Sequence, residues 1–148
     1  MFIYTIGALT MYYRTGVPDK GRVWRRIVQA WGQDNDVQVF DPSITYERER
    51  NHLYDSKMCV DQNDFYISKC DIAIVNLDDL EDSPGSIYEL VRFKEQRKPV
   101  IAFGTTKFDW SPHINSCISN KCESLDDAME LIVNMFDQGN FYTFDNDL

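Results

Sequence analysis

The sequence is short of the features that would make it fibrous, exported or membrane-embedded. Glycine and proline number only 7 and 5 in 148 residues, which excludes collagen-like and low-complexity chains. No apolar run approaches the ~18 to 20 residues that a helical membrane span requires. Met1 to Gly7 is apolar but has no basic lead-in and no small-residue cleavage site, so it reads as a first strand and predicts a cytoplasmic protein. The four cysteines, Cys59, Cys70, Cys117 and Cys122, show no CxxC spacing, and the only histidines are His52 and His113. Reduced thiols are expected, with no metal site. Neither a Ser/Thr-rich phosphate loop after the first strand nor a redox cysteine pair is present, so no flavin or other cofactor is expected.

Positive charge is scarce as well. Lys and Arg total 15 against 24 Asp and Glu, a formal net charge of -9. That balance opposes the counterion release that drives binding to polyanions and predicts no nucleic-acid polymer or membrane as partner. No Lys or Arg follows Lys121, whereas Arg14, Lys20, Arg22, Arg25 and Arg26 gather near the start, where a small anion can be met. Arg22, Arg25 and Arg26 read as a solvated helix face. Arg14, in the loop after the first strand, is placed to pair with a phosphate in a two-pronged way.

What the sequence does contain is an apolar fraction of 43%, sufficient for one domain spanning 1–148 around a single core. Strand and helix patterns alternate along it. Phe2 to Ile6 is an apolar strand ending at Gly7. Pro18 and Asp19 open a helix whose apolar positions are Val23, Trp24, Ile27, Val28 and Trp31. Val37 to Phe40 forms a second strand, stopped by Asp41 and Pro42, and the polar stretch Ser43 to Ser56 reads as a loop. Cys59, Asn63, Tyr66, Ile67 and Cys70 share one helical face before Ile72 to Leu77, a strand buried on both faces. A turn over Asp78 to Gly85, a helix from about Ser86 to Gln96, and a strand at Val100 to Phe103 follow. A short strand is expected near Ile118. Ser124 then caps a helix with Leu125, Met129, Ile132, Val133 and Phe136 inward. The predicted fold class is α/β, a doubly wound, flavodoxin-like three-layer sandwich with a mainly parallel sheet of about five strands. Such sheets bind ligands beyond the carboxyl ends of their strands, which nominates the loops after Ile6, Leu77 and Phe103.

The stretch richest in chemistry runs from Cys70-Asp71 through the strand to Leu77, then Asp-Asp-Leu-Glu-Asp-Ser83-Pro-Gly85-Ser86-Ile-Tyr-Glu89, and closes with Lys98-Pro99-Val-Ile-Ala-Phe-Gly104. It resembles the nucleoside 2-deoxyribosyltransferase superfamily, including the branch that hydrolyses 2'-deoxynucleoside 5'-monophosphates. The hallmark is a strand after an Asp, an acidic loop, a Gly-containing turn into a helix, and a Glu in that helix's first turn. The N-terminal part of the resemblance is Ile3-Tyr4-Thr-Ile-Gly7.

The resemblance implies cleavage of an N-glycosidic bond in a small deoxynucleoside or deoxynucleotide, with Glu89 attacking the anomeric carbon. A carboxylate suits this step because it stabilises an oxocarbenium-like centre, bonds covalently and leaves again. The competing local reading of Ser86-Ile-Tyr-Glu89 is a capping box, with Glu89 reaching back to the Ser86 amide. Ser83 stands six residues before Glu89, where the transferase branch has Asp near the sugar 5'-hydroxyl. A hydroxyl there, with amides of Gly85, Ser86 and Ile87 at a helix start, would accept a 5'-phosphate. Alternatively Ser83 begins the turn before Pro84, and Asp82 takes the transferase's role.

By the same resemblance, Tyr4 orients the nucleophile, and Asp64 contacts the base or assists proton transfer to it, with Asn63, one residue earlier, as the alternative base contact. Asn115 serves the substrate's 5' end, commonly across a subunit interface, with Ser116 and His113 as competitors; His113 reads as a surface or packing residue. A homodimer or higher homo-oligomer is therefore expected. The acidic aromatic tail, about 138–148, has the character of a segment that docks on a neighbour or frays. Three activities stay open: an N-hydrolase of deoxynucleoside monophosphates, a deoxyribosyltransferase exchanging bases on unphosphorylated nucleosides, and a nucleotide-binding sensor or scavenger without chemistry.

Overall fold

A computed structural model of the chain describes residues 1–44 and 56–136. Five strands, β1 (Phe2–Ile6), β2 (Gln38–Phe40), β3 (Ile72–Asn76), β4 (Val100–Phe103) and β5 (Asn120–Lys121), form one sheet in the order β2-β1-β3-β4-β5. Every pairing is parallel, and the order is that of the flavodoxin-like class. Among the described residues the helices are α1 (Thr10–Arg14), α2 (Asp19–Asp34), α3 (Ser56–Lys69), α4 (Pro84–Glu95), α5 (Pro112–Ser116) and α6 (Leu125–Phe136), with a 3-10 turn at Leu80–Asp82. None among the described residues is long and apolar enough to cross a membrane.

The period of two along β1 splits the core between two layers. Tyr4 and Ile6 point toward Ile67, Leu90 and Phe93 of α3 and α4. Ile3 points the other way, toward Trp24 and Val28 of α2 and Ile132 of α6. β3 is central and buried at all five positions, as its unbroken apolar run predicts. Chain direction reverses its spread across the sheet between β1 and β3, so the crevice for a ligand lies above that pair.

Several local expectations shift. α4 begins at Pro84, two residues before the expected Ser86. Proline at the first helical position needs no donor, and the Ser83 carbonyl accepts from both the Ser86 and Ile87 amides. The last strand lies at Asn120–Lys121, past Ile118. The turns after β1 and β4 contain two short helices, α1 and α5, that the polar sequence concealed. Ser124 does cap α6, accepting from the Asp127 amide at 3.1 Å, and Met129 and Ile132 face inward with Ala128 while Phe136 is exposed. The loop reading of Ser43 to Ser56 and the tail 138–148 fall largely or wholly outside the described residues.

The largest correction concerns α2. Trp24 and Val28 are buried, but Val23 and Ile27 are 48% and 46% exposed, and Arg25, expected in solvent, is 1% exposed. Two glycines rotate the helix. A Cβ on Gly21 would stand 3.0 Å from the Ala8 carbonyl oxygen, and one on Gly32 would stand 2.7 Å from Val39. Both are closer than side chains tolerate, so these glycines let α2 lie against the chain after β1 and against β2. The face that carries them, with Arg25 between, turns inward.

Candidate active site

A cavity of about 640 Å³ opens beyond the carboxyl ends of β1 and β3. The loop after β1 contributes Gly7 and Thr10, α1 contributes Arg14, and the turn into α4 contributes Ser83 and Gly85. The loop after Phe103, also nominated from sequence, goes elsewhere. Thr105 and Thr106 line a second cavity, of about 740 Å³, with Tyr12, Asp78 and Asp79.

Glu89 lines the first cavity from the second turn of α4 and is half-buried. Because α4 starts at Pro84, Ser86 is inside the helix and Ser83 occupies the N-cap. Ser86 is buried, with its Oγ 2.7 Å from that of Ser83. The capping box is thus not formed. Loss of water around the carboxylate pushes the Glu89 pKa up from an ordinary 4.5 to about 7; Arg25 and Tyr4 pull it down, and Asp64 adds to the rise.

Tyr4 comes from β1 to meet it. The ring is fully buried between Phe40 and Phe93, at centroid separations of 5.3 and 5.6 Å. Burial first, and then the neighbouring Glu89 carboxylate, hold the phenol far above its usual range. The two groups shift each other, yet the hydroxyl stops short of a completed hydrogen bond and remains buried and unsatisfied. Catalytic hydrogen bonds that are loose without substrate commonly tighten when it binds.

Ser83 and Gly85 line the cavity, as does the exposed Arg14. Of the three amides expected to be available there, those of Ser86 and Ile87 are taken by the Ser83 carbonyl. Gly85 supplies the amide that this carbonyl does not occupy. Asp82 lines the same cavity.

Asn63 and Asp64 separate cleanly. Asn63 lines the cavity from α3, one turn beyond Cys59. Asp64 does not: it accepts from the Tyr88 hydroxyl at 3.1 and 2.9 Å and pairs with Arg92 Nε at 3.4 Å. One residue is a rotation of about 100° on a helix, enough to carry the neighbour from cavity wall to the α3–α4 seam. Asn115 is likewise not brought to the cavity of its own chain. Its amide donates to the Asp109 carbonyl at 2.7 Å and accepts from Lys121 Nζ at 2.6 Å. α5 touches α4 through Ser116 and Lys94, eight residues, or about 12 Å of helix, beyond Ser86. His113 is exposed on α5.

Arg25 is the cavity residue that sequence reasoning missed. The available signal was a charge four residues after Gly21, between two residues that do face the core.

No family model and no curated protein matches the sequence. Solved structures do match the fold. The CMP N-glycosidase BcmB of Clostridium botulinum superposes with a TM-score of 0.56 at 12% identity, over 89% of this chain and 98% of that one. A conserved protein from Enterococcus faecalis V583 gives 0.59 at 16% identity, over 88% and 95%. At such identities the likeness is one of fold, and it agrees with the architecture that the family resemblance implies.

Proposed function

We propose that the protein is a nucleotide N-glycosidase that cleaves the base from 2'-deoxynucleoside 5'-monophosphates through Glu89. The observation that carries this reading is that Glu89 lines one cavity with the buried Tyr4 hydroxyl close to its carboxylate, at the position where open parallel sheets bind ligands. The Glu89 carboxylate attacks C1' as the C1'–N bond breaks, and the base departs with its bonding pair. Base departure takes a proton from water or relies on the base's own protonation state. Water then attacks C1' of the glycosyl-enzyme, restoring the carboxylate and releasing deoxyribose 5-phosphate with net retention. Tyr4 orients the nucleophile, Asn63 meets the base, and Ser83, Gly85 and Arg14 receive the phosphate.

Support for the phosphorylated substrate comes from Ser83, Gly85 and Arg14 lining the same cavity. The transferase reading retains one observation in its favour: Asp82, next to Ser83 in sequence, lines the cavity too, where a carboxylate would suit a free 5'-hydroxyl. Incubation with dNMPs, CMP and unphosphorylated nucleosides, with and without a second base, separates the alternatives. Free base and deoxyribose 5-phosphate support the hydrolase, and an exchanged nucleoside the transferase. Nucleotide that binds and returns intact leaves only the sensor. For the hydrolase, Ser83→Asp should raise KM for a dNMP by about tenfold or more while changing kcat less, the pattern of lost ground-state binding.

A further inference from the structure

The guanidinium of Arg25 lines the cavity but has no step in the reaction above. It is essentially sealed from solvent. Nη1 donates to the Gly21 carbonyl at 2.6 Å and Nη2 to the Gly7 carbonyl at 3.0 Å. Its ζ-carbon lies 4.7 Å from the Trp24 ring centroid. Nε faces Asp41 Oδ1 at 3.4 Å without completing a hydrogen bond. Asp41 meanwhile accepts from the Ser43 amide and hydroxyl, each at 2.8 Å, and from Gln29 at 3.3 Å. Its charge is therefore divided among several donors and only partly compensates the guanidinium. A buried cation left incompletely paired is costly unless a second anion shares it, and Glu89 lines the same cavity.

We infer that Arg25 is the positioning residue that keeps Glu89 in its ionised, attacking form, with its own charge clamped from behind by Asp41 and the Gly7 and Gly21 carbonyls. The inference rests on the nucleophile reading of Glu89. Each element around Glu89 brings a group to be weighed. β1 supplies Tyr4, which stays neutral across the working range. α3 supplies Asp64, which opposes ionisation but is already engaged by Tyr88 and Arg92. Cys59 of α3, Arg14 of α1 and Asp82 of the turn also line the cavity; Arg14 and Asp82 are exposed and screened by water. Arg25 is the buried cation in this set. It favours the charged form of Glu89, while burial works against its own charge and lowers its pKa, opposed by Asp41 and then Glu89.

The test is a carbon-13 NMR titration of the Glu89 carboxyl, assigned by its disappearance in Glu89→Gln, alongside the pH profile of kcat/KM on a dNMP. In Arg25→Gln the Glu89 midpoint should rise from about 7 by roughly one unit or more. The acidic limb of the profile should follow, a drop of about tenfold at pH 6 that recovers by pH 9. Arg25→Lys, which keeps the charge, should hold the midpoint near that of the parent. An unmoved midpoint in Arg25→Gln, or an equal rise in Arg25→Lys, overturns the inference. Should neither variant fold, Asp41→Asn, which releases the guanidinium from its clamp, should lower the midpoint; no change or a rise there overturns it equally. The titration needs no turnover. An Arg25-dependent midpoint in a protein that cleaves no nucleotide would remove the proposed activity and leave the electrostatic coupling standing.

Discussion

In the cavity lined by Tyr12, Asp78, Asp79 and Glu81, the polar groups satisfy one another. The Tyr12 hydroxyl donates to Asp79, the Thr105 amide to Asp78 at 2.9 Å, and the Thr106 hydroxyl to Glu81 at 2.9 Å. Accepting from its own backbone amide, and then from Thr106 and Lys107, Glu81 is held below the usual carboxylate range. In the cavity of Glu89 the pattern inverts. Tyr4 and Arg25 each leave a buried donor unsatisfied, and Glu89 is driven toward its neutral form. Hydrogen bonds spent inside a loop stabilise the loop, whereas buried donors left open cost the fold stability until a ligand supplies their acceptor. The Tyr12 cavity is a clasp joining the ends of β3 and β4. The Glu89 cavity has the character of a site.

The sharpest way to break this contrast is Glu89→Gln. Activity should fall by about four orders of magnitude, as for loss of a covalent nucleophile, measured as release of free base. Stability should move the opposite way. The folded carboxyl titrates at about 7 against an ordinary 4.5, so the parent is favoured fully below 4.5 and loses stability as pH rises to 7. The amide never ionises, and at pH 8 it should be more stable than the parent by up to about 3 kcal/mol, read from denaturant midpoints. No gain at pH 8 relative to pH 4 would remove the claim that the site is built at the expense of the fold.

Gly104 probes the clasp. It has φ of +81°, and a Cβ there would lie 2.7 Å from both Asn76 Oδ1 and Asp78 Oδ1. Gly104→Ala should cost at least about 2 kcal/mol through backbone strain and the displaced loop, seen in denaturant unfolding. The finest comparison sets two tyrosines side by side. Tyr12→Phe removes a partnered hydroxyl and should cost about 1 kcal/mol with little effect on base release. Tyr4→Phe removes an unpartnered one and should leave stability level or slightly raised while slowing cleavage. Equal stability effects from both would erase the distinction between clasp and site.

Much of the architecture was legible because it follows local rules. The apolar runs 72–77 and 100–103 could only be buried strands, and the helix after Ser124 carries its own cap. The resemblance named Glu89 and Tyr4 together, and the structure sets the Tyr4 hydroxyl near the Glu89 carboxylate. Asp64 and Asn115 do not line the cavity of their own chain: a motif fixes a neighbourhood in sequence, whereas helix phase decides whether Asn63 or Asp64 faces the cavity. The distance from α5 to the head of α4 likewise decides where Asn115 goes.

Periodicity and turn chemistry, acting within a few residues, determined that strands and helices alternate here and that the sheet is parallel. Which side of α2 faces the core was decided only in three dimensions, because the steric freedom that Gly21 and Gly32 provide has meaning only against Ala8 and Val39. That rotation seals Arg25 beside Glu89, and no pattern in the chain of letters ranks a buried charge above the exposed Val23 and Ile27. Their order was set by contacts between residues far apart in sequence, where packing overrides hydropathy.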